Sequence, residues 1–167
     1  IIKCPKPIIA EVEGTATAAG CQLVASCDLA YASSSAKFAT PGVNIGLFCS
    51  TPMVAISRNL SNKHSMEMLL TGELISSDKA AKIGLINDVI EINELKDFVL
   101  DKAKKISKKS SVTLKIGKEA FYKQLDMKLS DAYDYASKVM VQNMLKLDAK
   151  EGIDAFIDKR EPNWKDK

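Results

Sequence analysis

The fold is decided by residues 8–41, IIAEVEGTATAAGCQLVASCDLAYASSSAKFATP. Behind Pro7, the run Ile8-Ile9-Ala10-Glu11-Val12 reads as a strand, which Gly14 ends. Gly14 to Gly20 then carries no large side chain. Cys21 to Ser26, with Leu23 and Val24, reads as a buried helical segment. Leu29-Ala30-Tyr31-Ala32 gives a second strand, Ser33 to Ser35 a turn, and Lys37-Phe38-Ala39 a third strand closed by Pro41-Gly42. A strand, a tight small-residue passage, a helix and further strands imply an α/β fold.

Two physical readings of Gly14 to Gly20 stand side by side. Small residues let a helix pack closely on a sheet. They also let backbone approach a ligand, and the N–H groups at a helix N-terminus are unpaired and favour negative charge. Such donors can hold a phosphate, or an oxygen that gains charge during reaction. The stretch is neither G-x-x-x-x-G-K-[ST] nor G-x-G-x-x-G, which argues against a nucleoside-triphosphate loop or a dinucleotide fingerprint.

Beyond residue 50 the chain turns helical and lysine-rich. The spacing predicts a helix within Leu47 to Leu60, beginning after Ser50-Thr51-Pro52, and another through Met66 to Leu70 that stops at Gly72. Ser77-Asp78 reads as the cap of a short helix ending at Gly84, and Leu85 to Ile90 as a strand. Helical periodicity follows over Glu94 to Ser107, Val112 to Leu125, Asp131 to Leu147 and Gly152 to Lys159.

The 167 residues are 46% hydrophobic and 27% charged, enough for one core. Net charge is +3, with lysines spread along helical stretches, so no nucleic-acid partner is expected. No apolar run reaches the roughly 18 residues of a membrane span. Cys4, Cys21, Cys27 and Cys49 form no C-x-x-C pair, and His64 is the single histidine, so no metal site is expected and the cysteines read as free thiols. The chain opens at Ile1 with a strand close behind, and reads as a piece of a longer protein.

Residues 8–41 resemble the central signature of the crotonase (enoyl-CoA hydratase/isomerase) superfamily: strand, glycine, small-residue run ending G-C, helix, C-D, strand, F-x-x-P. MLLTGELISSDKAAKIGLINDVI, residues 68–90, resembles the family's TG-x-x-[IL]-S segment, and EGIDAFIDKREPNW, residues 151–164, its C-terminal ending. The resemblance implies the ββα spiral of the ClpP/crotonase type with its N-terminal part missing. Residues 1–95 would belong to the core and residues 96–167 to a helical trimerisation region. It further implies an acyl-CoA ligand with no separate cofactor, a homotrimer or dimer of trimers, a role in fatty-acid metabolism and a mitochondrial location.

Family enzymes polarise the thioester carbonyl with two backbone N–H groups, one of which would fall at Ala19, its partner lying upstream of Ile1. The two hydratase glutamates fall at Gln22 and Gly42. Glutamine cannot titrate and glycine has no side chain, whereas hydration needs a base for the water and an acid for the α-carbon. The expectation is an acyl-CoA binder lacking ordinary hydratase activity. The alternative is an enzyme of other enolate chemistry, such as isomerisation or hydrolysis, using a residue elsewhere. Cys49 and Ser50 fall near the acyl-facing part of the pocket in relatives, but Cys49 reads as a small buried residue and His64 as an exposed helix residue. Phe156 and Lys159, three apart, would share a helix face, and by resemblance would meet the CoA adenine and its 3′-phosphate.

Overall fold

The computed structural model describes residues 1–166. Two compact units divide it, one holding Ile1 and Ile8–Ala103, the other Ile2–Pro7 and the chain from Lys104 onward.

The first unit repeats a small motif. Strand β1 (Ile9–Val12) leads to β2 (Thr15–Thr17) and helix α1 (Ala19–Ser26). Strand β3 (Leu29–Ser33) leads in the same way to β4 (Lys37–Ala39), a 3-10 turn (Pro41–Ile45) and helix α2 (Ser50–Ile56). Like strands lie side by side: β1 pairs with β3 in parallel, and β2 with β4. Helix α3 (Asn62–Thr71), strand β5 (Ile75–Ser76), helix α4 (Ser77–Ile83) and strand β6 (Asp88–Ile90) follow. Strand β6 extends the first sheet to the order β1-β3-β6, and β5 joins β4 antiparallel in the second.

Alternation along β3 shows why these residues make a two-sided sheet. Ala30 and Ala32 face a core that includes Cys21, Phe38, Ile56 and Met68. Tyr31 faces the other way, packing with Leu95 and Val99 of helix α5 (Ile92–Ser107) and meeting Phe98 edge-on, ring centroids 5.1 Å apart. Asn87 continues the ladder without being a strand residue. Its side-chain oxygen accepts the Ala30 N–H at 2.7 Å, and its own N–H donates to the Ala30 carbonyl at 2.8 Å. The Asn59 amide donates to the carbonyls of Ala25 and Ala55, both at 2.8 Å, tying the end of α1 to that of α2.

The second unit contains α6 (Ser111–Gln124), α7 (Leu129–Met144) and α8 (Leu147–Ile157). Its C-terminal tail is strapped to α8 by carboxylates. Buried Asp148 accepts the N–H of Lys165 at 2.7 Å and that of Asp166 at 3.1 Å. Burial pushes its pKa up, but these bonds and the Ser110 hydroxyl more than offset that and hold it below the ordinary value. Glu151 takes both guanidinium nitrogens of Arg160, at 2.7 and 3.1 Å, which with the Asn163 N–H draws its pKa down to about 2. The Trp164 indole N–H reaches the Lys108 carbonyl at 2.7 Å.

Several details depart from the sequence reading. The tight small-residue passage between strand and helix contains β2, and β5 is a further strand. Helix α2 starts at Ser50, ahead of the proline, and α4 is capped by Ser76, whose hydroxyl accepts the Lys79 N–H. The strand expected over Leu85 to Ile90 is confined to Asp88–Ile90, Leu85 and Ile86 being buried before it. Among the described residues, no helix is long and apolar enough to cross a membrane.

Gly72 ends α3 at φ +63°, and a Cβ there would lie 3.0 Å from Val43 and 3.1 Å from Pro41, on the 3-10 turn. Gly72→Ala is expected to lose at least about 1–2 kcal/mol from the left-handed backbone alone. Gly14→Ala, with nothing within 4 Å, should stay within about 0.5 kcal/mol of the parent. Urea unfolding of the two variants checks the contrast, and equal losses would contradict it.

Candidate functional site

The site is built where β2 hands over to α1. Ala18 sits between them at φ 48° and ψ −112°, a conformation that alanine adopts only under constraint. Its N–H donates to the Ala39 carbonyl at 3.0 Å and its carbonyl accepts the Gln22 N–H at 2.9 Å, so both backbone groups are spent holding the turn. The N–H of Ala19, the next residue, opens an eight-residue helix and has no acceptor among the described residues. Ala19 is exposed, so this donor is accessible from outside. It stands at the positive end of the helix dipole.

The Ala18–Ala39 bond also sets the neighbour. Ala39 ends β4, and Thr40, fully buried, follows with its hydroxyl on the Met68 carbonyl at 2.8 Å. Pro41 then starts the 3-10 turn that carries Gly42. Gly42 is closed in from two sides. Its N–H donates to the Cys49 sulfur at 3.4 Å and its carbonyl accepts the Leu47 N–H at 2.9 Å. A Cβ built on Gly42 would stand 2.7 Å from the Leu47 carbonyl oxygen and 2.9 Å from the Cys49 Sγ. Real Cβ atoms do not approach that closely, and the first obstacle is backbone. Position 42 therefore takes no side chain unless the loop 42–49 moves.

Gln22 lies on the first turn of α1, half-buried, and its side-chain amide makes no hydrogen bond among the described residues. It can orient a water or a carbonyl, but cannot take a proton. Residues 18–22 and 40–49 contain no Asp, Glu, His, Lys or Arg. Their only titratable side chains are Cys21 and Cys49, both buried and both free thiols. Burial, with a smaller push from Cys49, raises the Cys21 pKa to about 12, so it stays protonated at neutral pH and is no nucleophile. Cys49 is buried, as the sequence implied; what the sequence did not show is that its sulfur occupies the space beside Gly42. The signal was present only as a glycine and a cysteine seven residues apart, a spacing with no meaning until the turn is seen.

The other sequence-predicted residues lie on other elements. Ser61 caps α3, its hydroxyl accepting the His64 N–H at 3.4 Å, and the His64 ring lies 3.7 Å from Glu67. Phe156, on α8, is 85% exposed. Lys159 does not share its helix face as expected: α8 ends at Ile157, and Lys159 turns out of it at φ 53°. Apolar residues on the outside of the first unit include Leu23 on α1 and Ile45, Leu47 and Phe48 in the loop after Gly42. The arrangement offers one backbone donor and an uncharged amide beside an apolar loop. It can polarise a carbonyl oxygen, and it carries no carboxylate, imidazole or amine to take up a proton.

Known proteins share this architecture. The rat protein "enoyl-CoA hydratase domain-containing protein 3, mitochondrial" is 54% identical over 160 residues, 96% of this chain and 53% of its own length. The chain thus spans about half of that relative. The crystal structure of the human protein of the same name superposes with a TM-score of 0.96 at 51% identity, covering 98% of this chain and 65% of that one. An enoyl-CoA hydratase structure from Mycobacterium smegmatis also gives a TM-score of 0.96, at 48% identity, covering 98% of this chain and 64% of its own. The sequence profile of the enoyl-CoA hydratase/isomerase family matches residues 1–167, and the chain belongs to that family.

Proposed function

We propose that the protein carrying this chain binds acyl-CoA thioesters in mitochondrial fatty-acid metabolism and polarises them without carrying out ordinary hydration. One observation carries the reading: of the two positions where the resemblance implies hydratase carboxylates, Gln22 and Gly42, the second has no room for a side chain. The accessible Ala19 N–H supports retention of the thioester carbonyl site. One such donor is typically worth about 3–4 kcal/mol in a transition state. Each absent acid or base typically costs about 10² to 10⁴ in rate. Polarisation survives while proton transfer does not.

The mitochondrial location rests on the names of the relatives and on their identity to this chain. A trimer, or a dimer of trimers, is the assembly we propose for the helical unit. In its favour stand the apolar side chains it exposes, among them Leu129, Val141, Leu145 and Phe156. Phe156 and Lys159 are proposed to meet the CoA adenine and 3′-phosphate: an exposed ring and a nearby ammonium suit those two groups.

A second reading follows from the same donor. Enolate chemistry that needs no water, such as isomerisation, is open if a proton-transfer group is contributed from outside this chain. An Asp or Glu facing the thioester in the remainder of the full-length protein would favour it.

Full-length protein is expected to hydrate crotonyl-CoA at least about 10²-fold below the roughly 10 s⁻¹ typical of enzymes. Gln22→Glu alone should not restore the reaction, because one carboxylate still lacks its partner. Gly42→Glu should lose stability by about 1–3 kcal/mol through overpacking. Turnover at ordinary rates by the parent protein would overturn the proposal. Lys159→Glu should weaken acyl-CoA binding by about tenfold in calorimetric titration, a change of about 1.4 kcal/mol, and unchanged affinity would remove the assignment of that residue.

A further inference from the structure

The helical unit is electrostatically unlike the first. It holds seventeen of the 24 Lys and Arg residues against ten of the 21 Asp and Glu, so it is positive by seven charges. The first unit, with seven basic and eleven acidic residues, is negative by four. Within the basic unit lies a cavity of about 460 Å³, lined by Ile2, Lys3, Cys4 and Pro5 on one side and by Lys115, Glu119, Tyr122 and Lys123 on the other. Its size is within the roughly 300–1,000 Å³ of small-molecule sites.

Two walls make it. Lys115, Glu119 and Lys123 follow one another four residues apart along α6, so they stand on one helix face with Tyr122 beside them. The segment Ile2–Pro7 lies against that face, and the Lys118 Nζ donates to the Lys6 carbonyl at 3.0 Å, fastening it. Tyr122 is half-buried, and its ring stands edge-on to Phe121 at 5.3 Å. The Lys123 ammonium lies 4.9 Å from the Tyr135 ring centre, which limits where it can swing.

The lining is chemically two-faced. Ile2, Pro5 and the Tyr122 ring are apolar, while three lysines and one glutamate complete the lining. We propose that this cavity binds an amphiphilic anion, a carboxylate at the end of an aliphatic chain, with the head between Lys3, Lys115 and Lys123 and the chain along Ile2, Pro5 and Tyr122. Glu119, set midway between two of the lysines, repels a multiply charged head such as a polyphosphate and suits a group of one negative charge. The cavity is lined wholly by residues of the helical unit, and the proposal does not depend on the thioester reading.

Calorimetric titration of the full-length protein with decanoate, decanol and inorganic phosphate tests it. Decanoate is expected to bind about tenfold more tightly than either of the others, since each of them offers half of the match. Replacing both cationic partners on α6, Lys115→Gln with Lys123→Gln, should weaken decanoate by about five- to tenfold and leave decanol unchanged. Glu119→Gln should tighten decanoate by about twofold, a gain that a folding defect cannot imitate. Decanoate should also slow alkylation of Cys4, read by peptide mass, which places the ligand in this cavity. No decanoate binding, equal binding of phosphate, indifference of the lysine variant or unprotected Cys4 would each overturn the proposal.

Discussion

The hydrogen bond from the Ala18 N–H to the Ala39 carbonyl, 3.0 Å long, organises the first unit. It locks the end of β2 to the end of β4 just where both strands give way to helical turns. Ala18 reaches it only at a positive φ, a strain of about 1–2 kcal/mol that the surrounding pairs must offset. What the strain secures is direction. With Ala18 fixed, α1 begins at Ala19 with an unspent N–H facing outward, and the 3-10 turn begins one residue past Thr40. Two repeats of a strand–strand–helix unit thereby place a donor from one beside a loop from the other.

The same closeness that builds the donor excludes the acid. The turn carrying Gly42 folds back until the Leu47 carbonyl and the Cys49 sulfur fill the volume in front of it. Gly72, ending α3, presses on Val43 and Pro41 from behind. A carboxylate at 42 would have to displace backbone on one side while the turn is backed on the other. The lack of room for a side chain at 42 is thus a property of the loop as a whole, and changing one residue does not relieve it. In the helical unit electrostatics serve a different end: Asp148, its pKa held below the ordinary value by hydrogen bonds, and Glu151, drawn down to about 2 chiefly by Arg160, fasten the tail to α8.

Much of this was legible in the sequence because the governing signals are local. The run Leu29-Ala30-Tyr31-Ala32 announced a strand, which the structure buries on both faces, and Gly72 and Gly84 announced helix ends that the structure places at left-handed φ. What escaped was set by distant partners. Thr15-Ala16-Thr17 becomes a strand because Lys37 to Ala39 lies beside it, not because its own residues stand out. Lys159 leaves the helix because Arg160 and Asn163 are drawn to Glu151, a tertiary pull that outweighs helical periodicity. At Gly42 the sequence showed a glycine but not the closed space in front of it, since the atoms that occupy it come from Leu47 and Cys49.

Infrared difference spectroscopy of a carbonyl-labelled enoyl-CoA bound to the full-length protein tests the central claim most directly. A bond polarised by the Ala19 donor should show its thioester carbonyl stretch moved to lower frequency than in solution, while the double bond stays unhydrated over the measurement. An unshifted carbonyl, or conversion to the hydroxyacyl product at ordinary enzymatic rates, would contradict the account.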